Sequence, residues 1–258
     1  MTTLSIIVPA YNEANTIREI LARVQRVELR HLGIQPEIIV VNDGSQDGTG
    51  EILEQLAASG SFTLVHQRRN RGKAAAVQAG LAQASGELIL IQDADLEYDP
   101  RDYAALLAPV LAGRAEVVYG SRILGARVFG TRDYSSLPFY WGGRLLSWLT
   151  NVLFGSRLTD QSTGYKLFTR RVLARVLPLE HAGFEFCAEV TARLARCGCA
   201  IHEVPVHYYP RSRAEGKKIT WRHGLRALLT LLRYRFRPPA KLAQDRELLS
   251  GSQAGRRA

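Results

Sequence analysis

A chain of 258 residues and 28.7 kDa, 46% hydrophobic and 22% charged, is long enough to bury a full α/β core and too apolar for global disorder. Its formal charge of +10 and pI near 9.8 favour an anionic partner, for which nucleic acid, anionic lipid and phosphorylated substrates all qualify. Cys187, Cys197 and Cys199 form neither an even disulfide framework nor paired C-x-x-C clusters, so small buried residues in a reducing compartment are expected.

The N-terminus opens directly on strand-like LSIIVPA, with no leader-type segment before it. A helix from about residue 15 follows, with Ile17, Ile20, Leu21 and Val24 on one face, then the strand EIIVVND. A helix over 49–59 carries Ile52, Leu53 and Leu56, and the strand FTLVHQ, an Ala-rich helix over 72–84 and the strand ELILIQD come next. Asp99-Pro100 starts a helix that runs to about Gly113, and EVVYGSR reads as another strand. Towards the C-terminus, GFEFCAEVTARLARCG reads as a helix stopped by Gly198, and AIHEVPVHYY as a strand. The alternation predicts one α/β domain with a parallel, doubly wound sheet. His181, His202, His207 and His223 are scattered without metal-ligand spacing and are expected to be structural.

In an open α/β sheet, ligands bind beyond the carboxyl ends of the strands. Those ends are consistently polar: Pro9-Ala10-Tyr11-Asn12-Glu13, Asn42-Asp43-Gly44-Ser45, and Asp93-Ala94-Asp95 with Glu97. No G-x-G-x-x-G follows the first strand and no G-x-x-x-x-G-K-[ST] occurs, so dinucleotide and P-loop readings lose their main support. Several carboxylates at one strand end repel one another unless a cation neutralises them, and oxygen-only ligands suit magnesium or manganese, which would bridge to phosphate. Solvated loop acids with a helix cap at Asp99 are the competing reading.

Taken in order, PAYNE, VVNDGSQDGT, NRGKAAAVQAG, DADLEYDP, GSR and DQSTGYKLF resemble the family 2 glycosyltransferases of the GT-A type. The chain is most similar to the dolichol-phosphate mannose synthase and polyprenyl-phosphate glycosyltransferase group, over residues 4–232. The resemblance implies a GT-A-type domain over 1–238 with a mixed, mostly parallel sheet and peripheral amphipathic helices at about 136–154 and 220–237, and the polar composition of 239–258 reads as a disordered tail. It also implies metal-dependent transfer of a sugar, mannose before glucose, from a nucleotide diphosphate sugar to a polyprenyl or dolichyl phosphate. Pro9, Ala10, Tyr11, Glu13 and Asp43 would line the base and ribose pocket. Asp93 and Asp95 would hold a Mg2+ or Mn2+ ion and the diphosphate, with Glu97 as a further ligand where many relatives have glutamine. Arg122, Lys217 and Lys218 would face the phosphates, with Asp95, Arg122 and Lys218 carrying the chemistry. Asn42 departs from the family's usual aspartate, which leaves the base open between GDP-mannose and UDP-glucose.

A phosphate monoester, with a second pKa near ~6, is mostly a dianion at neutral pH and is its own nucleophile. The site then has to keep two anions from repelling each other, and in-line displacement would invert the anomeric carbon. A sugar-hydroxyl acceptor on a cell-envelope glycan or lipid is the alternative. It would need a carboxylate base such as Glu185 or Glu189 on the helix before Gly198. A basic, non-enzymatic nucleic-acid-binding or scaffolding module is the other alternative, and the intact set of acids argues against it.

Two segments remain. In SSLPFYWGGRLLSWLTNVLFG, Trp141, Leu145, Trp148, Leu149 and Val152 recur at helical spacing, as a core-packing stripe or an interfacial one. Alignment with the resembled family brings Arg144 and Ser147 to the acceptor phosphate. In ITWRHGLRALLTLLRYRFRPP, Leu225, Leu228, Leu229, Leu232 and Phe236 trace one face, ringed by arginines that suit either an anionic leaflet or solvent. No segment offers the ~20 uninterrupted apolar residues of a spanning helix. Relatives of the resembled group that carry spanning helices would continue here, whereas this chain stops, so attachment is expected to be peripheral, on the cytoplasmic face of the membrane, or through an anchoring partner.

Overall fold

The computed structural model describes residues 1–130, 134, 136–183, 185–211 and 220–237. Lys217, Lys218 and the tail expected over 239–258 lie outside these described residues.

Four apolar runs become β1 (Thr2–Ala10), β2 (Ile34–Asn42), β3 (Thr63–His66) and β4 (Leu88–Ile91), paired in parallel in the order β3-β2-β1-β4. Strands β5 (Val117–Ser121), β6 (Lys166–Thr169) and β7 (His202–Pro205) extend the sheet to β3-β2-β1-β4-β6-β5-β7. β6 runs antiparallel to both β4 and β5, while β5 and β7 are parallel. The sheet is therefore mixed and mostly parallel.

The strands are continuously apolar because both faces are covered. With side chains alternating along β1, Leu4, Ile6 and Val8 pack with Ile20 and Leu21 of α1 (Ile17–Gln25), Leu53 of α2 (Thr49–Ala57) and Leu106 and Leu107 of α4 (Tyr103–Leu111). Ile7 faces the other way, with Ile89 and Ile91, against Val77 of α3 (Lys73–Leu81) and Val190 and Leu194 of α8 (Phe186–Arg196).

Beyond β4 the local pattern is less legible. β5 ends at Ser121, whose hydroxyl accepts the Leu124 N–H at 3.1 Å and caps α5 (Arg122–Phe129). Arg122 therefore begins a helix rather than ending a strand. That helix lies close on the segment after β7: a Cβ on Gly125 would stand 1.9 Å from the Val206 carbonyl oxygen. Strand β6, four residues long, and α7 (Arg170–Val176) are not foreseen by periodicity.

Helices α6 (Leu137–Phe154) and α9 (Trp221–Phe236) share a small core with α8, built from Ala188, Ala192, Leu231 and Tyr234 with Leu146 and Ala227 beside them. The polarity of α6 is inverted. It buries Ser147 and Thr150, whose hydroxyls donate to the carbonyls of Gly143 and Leu146, and exposes Trp141 (65%), Leu145 and Trp148 (58%). The apolar stripe is thus outward-facing, which removes its core-packing reading. On α9, Thr230, Leu231 and Tyr234 face inward, and Trp221, Leu225, Leu229 and Phe236 are exposed. Among the described residues no helix is long and apolar enough to cross a membrane.

Candidate active site

The first two strand ends are knitted together by the polar motif that follows β2. Asn12, at φ 50°, donates its N–H to Ser45 Oγ (3.0 Å) and accepts the Gln46 N–H (2.8 Å), and Glu13 N–H donates to Thr49 Oγ1 (2.9 Å). Pro9 and Tyr11 stay partly open at the end of β1, while Ala10 is buried and accepts the Asp43 N–H (2.8 Å). Asp43 is buried and its two carboxylate oxygens accept the N–H groups of Arg71 and Gly72, both at 2.8 Å. It thereby fastens the turn into α3 at the end of β2. Asn42 is likewise engaged locally, for its amide meets His66 Nδ1 at 3.1 Å and its oxygen accepts the Ser45 N–H.

The acids after β4 meet two cations. Lys73, the first residue of α3, is ion-paired with Asp93; burial works against its charge, but the Asp93 carboxylate outweighs that and holds the ammonium above its ordinary range. Arg211 donates to Asp95 Oδ2 (2.8 Å) and to both Glu13 oxygens (3.0 and 3.3 Å), and its backbone N–H goes to Glu97 Oε1 (2.8 Å). Asp95 is pushed up to about 7, first by burial and then by the Asp93 and Glu97 charges, with Arg211 opposing. A Cβ on Gly164 would lie 2.3 Å from Asp93 Oδ2, so only glycine lets the loop before β6 close on this acid.

Among the described residues no three ligating side chains form a metal site. Glu97, expected as a further ligand beside Asp93 and Asp95, accepts the Arg211 N–H through Oε1. Paired carboxylates that keep their mutual repulsion despite a lysine and an arginine are a donor set that fits a hard divalent cation completed by phosphate oxygens.

On the other side of β6, Arg122 is locked by Asp160: Nε reaches Oδ2 and Nη2 reaches Oδ1, each at 2.7 Å, with the Arg122 N–H on Oδ2 at 3.1 Å. Burial opposes both charges, yet each partner overrides it, holding the guanidinium well above and the carboxylate below their usual ranges. Arg122 also lies 5.1 Å over the Tyr208 ring. A cleft lined by Arg122, Tyr140, Arg144, Asp160 and Tyr208 opens here. Ser147 does not line it: its buried hydroxyl accepts the Gln161 N–H (3.1 Å) and donates to Gly143 O, pinning α6 to the loop.

Glu189 is fully buried, accepting the N–H groups of Glu180 and His181, the Tyr234 hydroxyl and an ion pair from Arg193. Glu185 lies 3.7 Å from Arg226. The sequence reading passed over Lys73, Asp160 and Arg211. The first two stand inside motifs that carry the resemblance, NRGKAAAVQAG and DQSTGYKLF, whereas Arg211 had no signal beyond its place among basic residues after the last strand.

A family model described as glycosyl transferase family 2 matches residues 5–177. The low-salt glycan biosynthesis hexosyltransferase Agl6 of Haloferax volcanii is 28% identical over 240 residues, covering 92% of this chain and 56% of that protein. The dolichyl-phosphate beta-glucosyltransferase ALG5C of Trichomonas vaginalis is 33% identical over 187 residues, covering 69% and 55%. The chain thus spans about half the length of these curated relatives. Glucosyl-3-phosphoglycerate synthase from Mycobacterium tuberculosis, solved with Mn2+, UDP and phosphoglyceric acid, superposes with a TM-score of 0.64 at 21% identity over 92% of this chain and 80% of that one, a likeness of fold.

Proposed function

Because the chain belongs to glycosyl transferase family 2, we propose that it transfers a hexosyl unit from a nucleotide diphosphate sugar to the phosphate of a polyprenyl lipid at a membrane surface, with inversion. The carrying observation is that α6 belongs to two features at once. Its Tyr140 and Arg144 line the cationic cleft, and its Trp141, Leu145 and Trp148 form an apolar outer face. A lipid phosphate entering that cleft would keep its chain against apolar surface. A relative named for dolichyl phosphate supports the acceptor class.

In this reading Pro9, Ala10, Tyr11 and Glu13 border the nucleotide at the end of β1. Magnesium or manganese held by Asp93 and Asp95 would neutralise the diphosphate as it leaves. Arg122, oriented by Asp160 through Nε and Nη2, and Arg144, which lines the same cleft, would meet the acceptor phosphate. The acceptor dianion attacks without a general base, which suits a cleft whose own carboxylate is pinned. The donor sugar is a hexose, with GDP-mannose favoured by the resemblance and UDP-glucose by the relative's name. Attachment is peripheral, on the cytoplasmic face, through α6 and α9.

The test is nucleotide release from a panel of GDP- and UDP-sugars with Mn2+ and a short polyprenyl phosphate, using wild type and Asp95→Ala. Release that requires lipid phosphate, metal and Asp95 is expected. Release unchanged in Asp95→Ala, or independent of the lipid phosphate, would overturn the reading.

A further inference from the structure

The segment after β7 returns across the acids and is stitched to them. Tyr208 bridges Tyr98, the Tyr209 N–H donates to the Glu97 carbonyl (2.8 Å), and the Arg211 N–H donates to the Glu97 carboxylate. This anchoring aims one guanidinium at Glu13 and Asp95, where it is mostly buried. Both oxygens of Asp95 are thereby engaged, Oδ1 by the Glu97 N–H (3.1 Å) and Oδ2 by Arg211 (2.8 Å). A metal ion that ligates Asp95 through Oδ2 must either share that oxygen with the guanidinium or displace it.

Resting on the assignment of Asp93 and Asp95 as metal ligands, we propose that Arg211 is the resident counter-cation of this acid cluster and competes with the divalent metal for Asp95. Its consequence is an order of binding. Metal alone gives up one ion pair for another and binds weakly. Metal arriving with a nucleoside diphosphate brings phosphate oxygens that complete its own coordination and offer the displaced guanidinium new acceptors. Metal and nucleotide then strengthen each other's binding by one and the same factor.

Calorimetry of Mn2+ binding to the full chain, with and without UDP or GDP, tests this in wild type, Arg211→Gln, Arg211→Lys and Asp95→Ala. Removing the competing charge in Arg211→Gln is expected to tighten Mn2+ alone by about tenfold, the size of one partly buried charged contact, and to shrink the Mn2+–nucleotide coupling by a similar factor. Arg211→Lys retains a cation and stays near wild type. Thermal unfolding in chelator and in Mn2+ supplies a second readout: Arg211→Gln gains more from the metal than wild type does. Equal or weaker Mn2+ binding by Arg211→Gln overturns the competition, because a supporting arginine would act that way. Absence of Mn2+ binding to every variant, with nucleotide present, overturns the acid-pair assignment as well, and a wild-type affinity retained by Asp95→Ala does the same.

Discussion

Replacing Asp160 with asparagine removes one charge from the best-formed buried ion pair in the described structure while preserving shape. Arg122 would keep its place over Tyr208 but lose the anion that offsets its burial. Breaking a buried pair on one side typically costs about 3–5 kcal/mol, and asparagine retains one acceptor oxygen, so about 3 kcal/mol is expected. For a chain of this size that lowers Tm by about 6–12 °C, readable by scanning calorimetry at pH 7. Asp160 is held below its ordinary value, so its contribution is complete above about pH 4 and is lost as pH falls through the folded-state value; Asp160→Asn should flatten that acid limb. The double variant Arg122→Met/Asp160→Leu should recover most of the stability and none of the transfer activity. A Tm for Asp160→Asn within about 2 °C of wild type would refute the argument, since the pair would then be too hydrated to matter.

Other outcomes follow from particular contacts. Trp141→Ser/Trp148→Ser should weaken sedimentation with anionic vesicles by at least about tenfold, while Tm stays near wild type, because both indoles are exposed; unchanged vesicle binding would move the lipid surface elsewhere. Asn42→Asp should leave the ratio of UDP to GDP affinities within about threefold, because Asn42 bonds His66 and Ser45, and a tenfold swing measured by calorimetry would assign it to base selection. Glu189→Gln should lower Tm by several degrees through its buried network, yet leave kcat of the folded enzyme within about threefold; loss of turnover at unchanged Tm would restore it as a base for a hydroxyl acceptor.

Legibility followed the range of the forces involved. Strands β1 to β4 and helices α1 to α4 were readable from local signals, continuous apolar runs for the strands and an apolar face, an alanine-rich stretch or a Pro start for the helices, and the acids stood out because charge after a buried run is costly. The antiparallel β6 was not, since KLFT is too short to show a period and its direction depends on partners far away in sequence. Burial of Ser147 and exposure of Trp148 on the same helix also escaped the sequence, because a stripe at helical spacing states which residues share a face and not which way the face points. Asp43 and Arg211 illustrate the same limit: their partners sit 28 and 116 residues away.

The reversal of β6 governs how such an enzyme can change its substrates. Running against β4 and β5, this strand has its entrance at the edge where the parallel strands terminate. Its entry loop therefore grips Arg122 through Asp160 and closes on Asp93 through Gly164. The turns after β2 and β3 lie on one side of that keystone and α5 on the other. On the proposed function, exchange of those turns between homologues would retune the nucleotide while the acceptor cleft is inherited intact, whereas a graft across 160–165 would unsettle both at once.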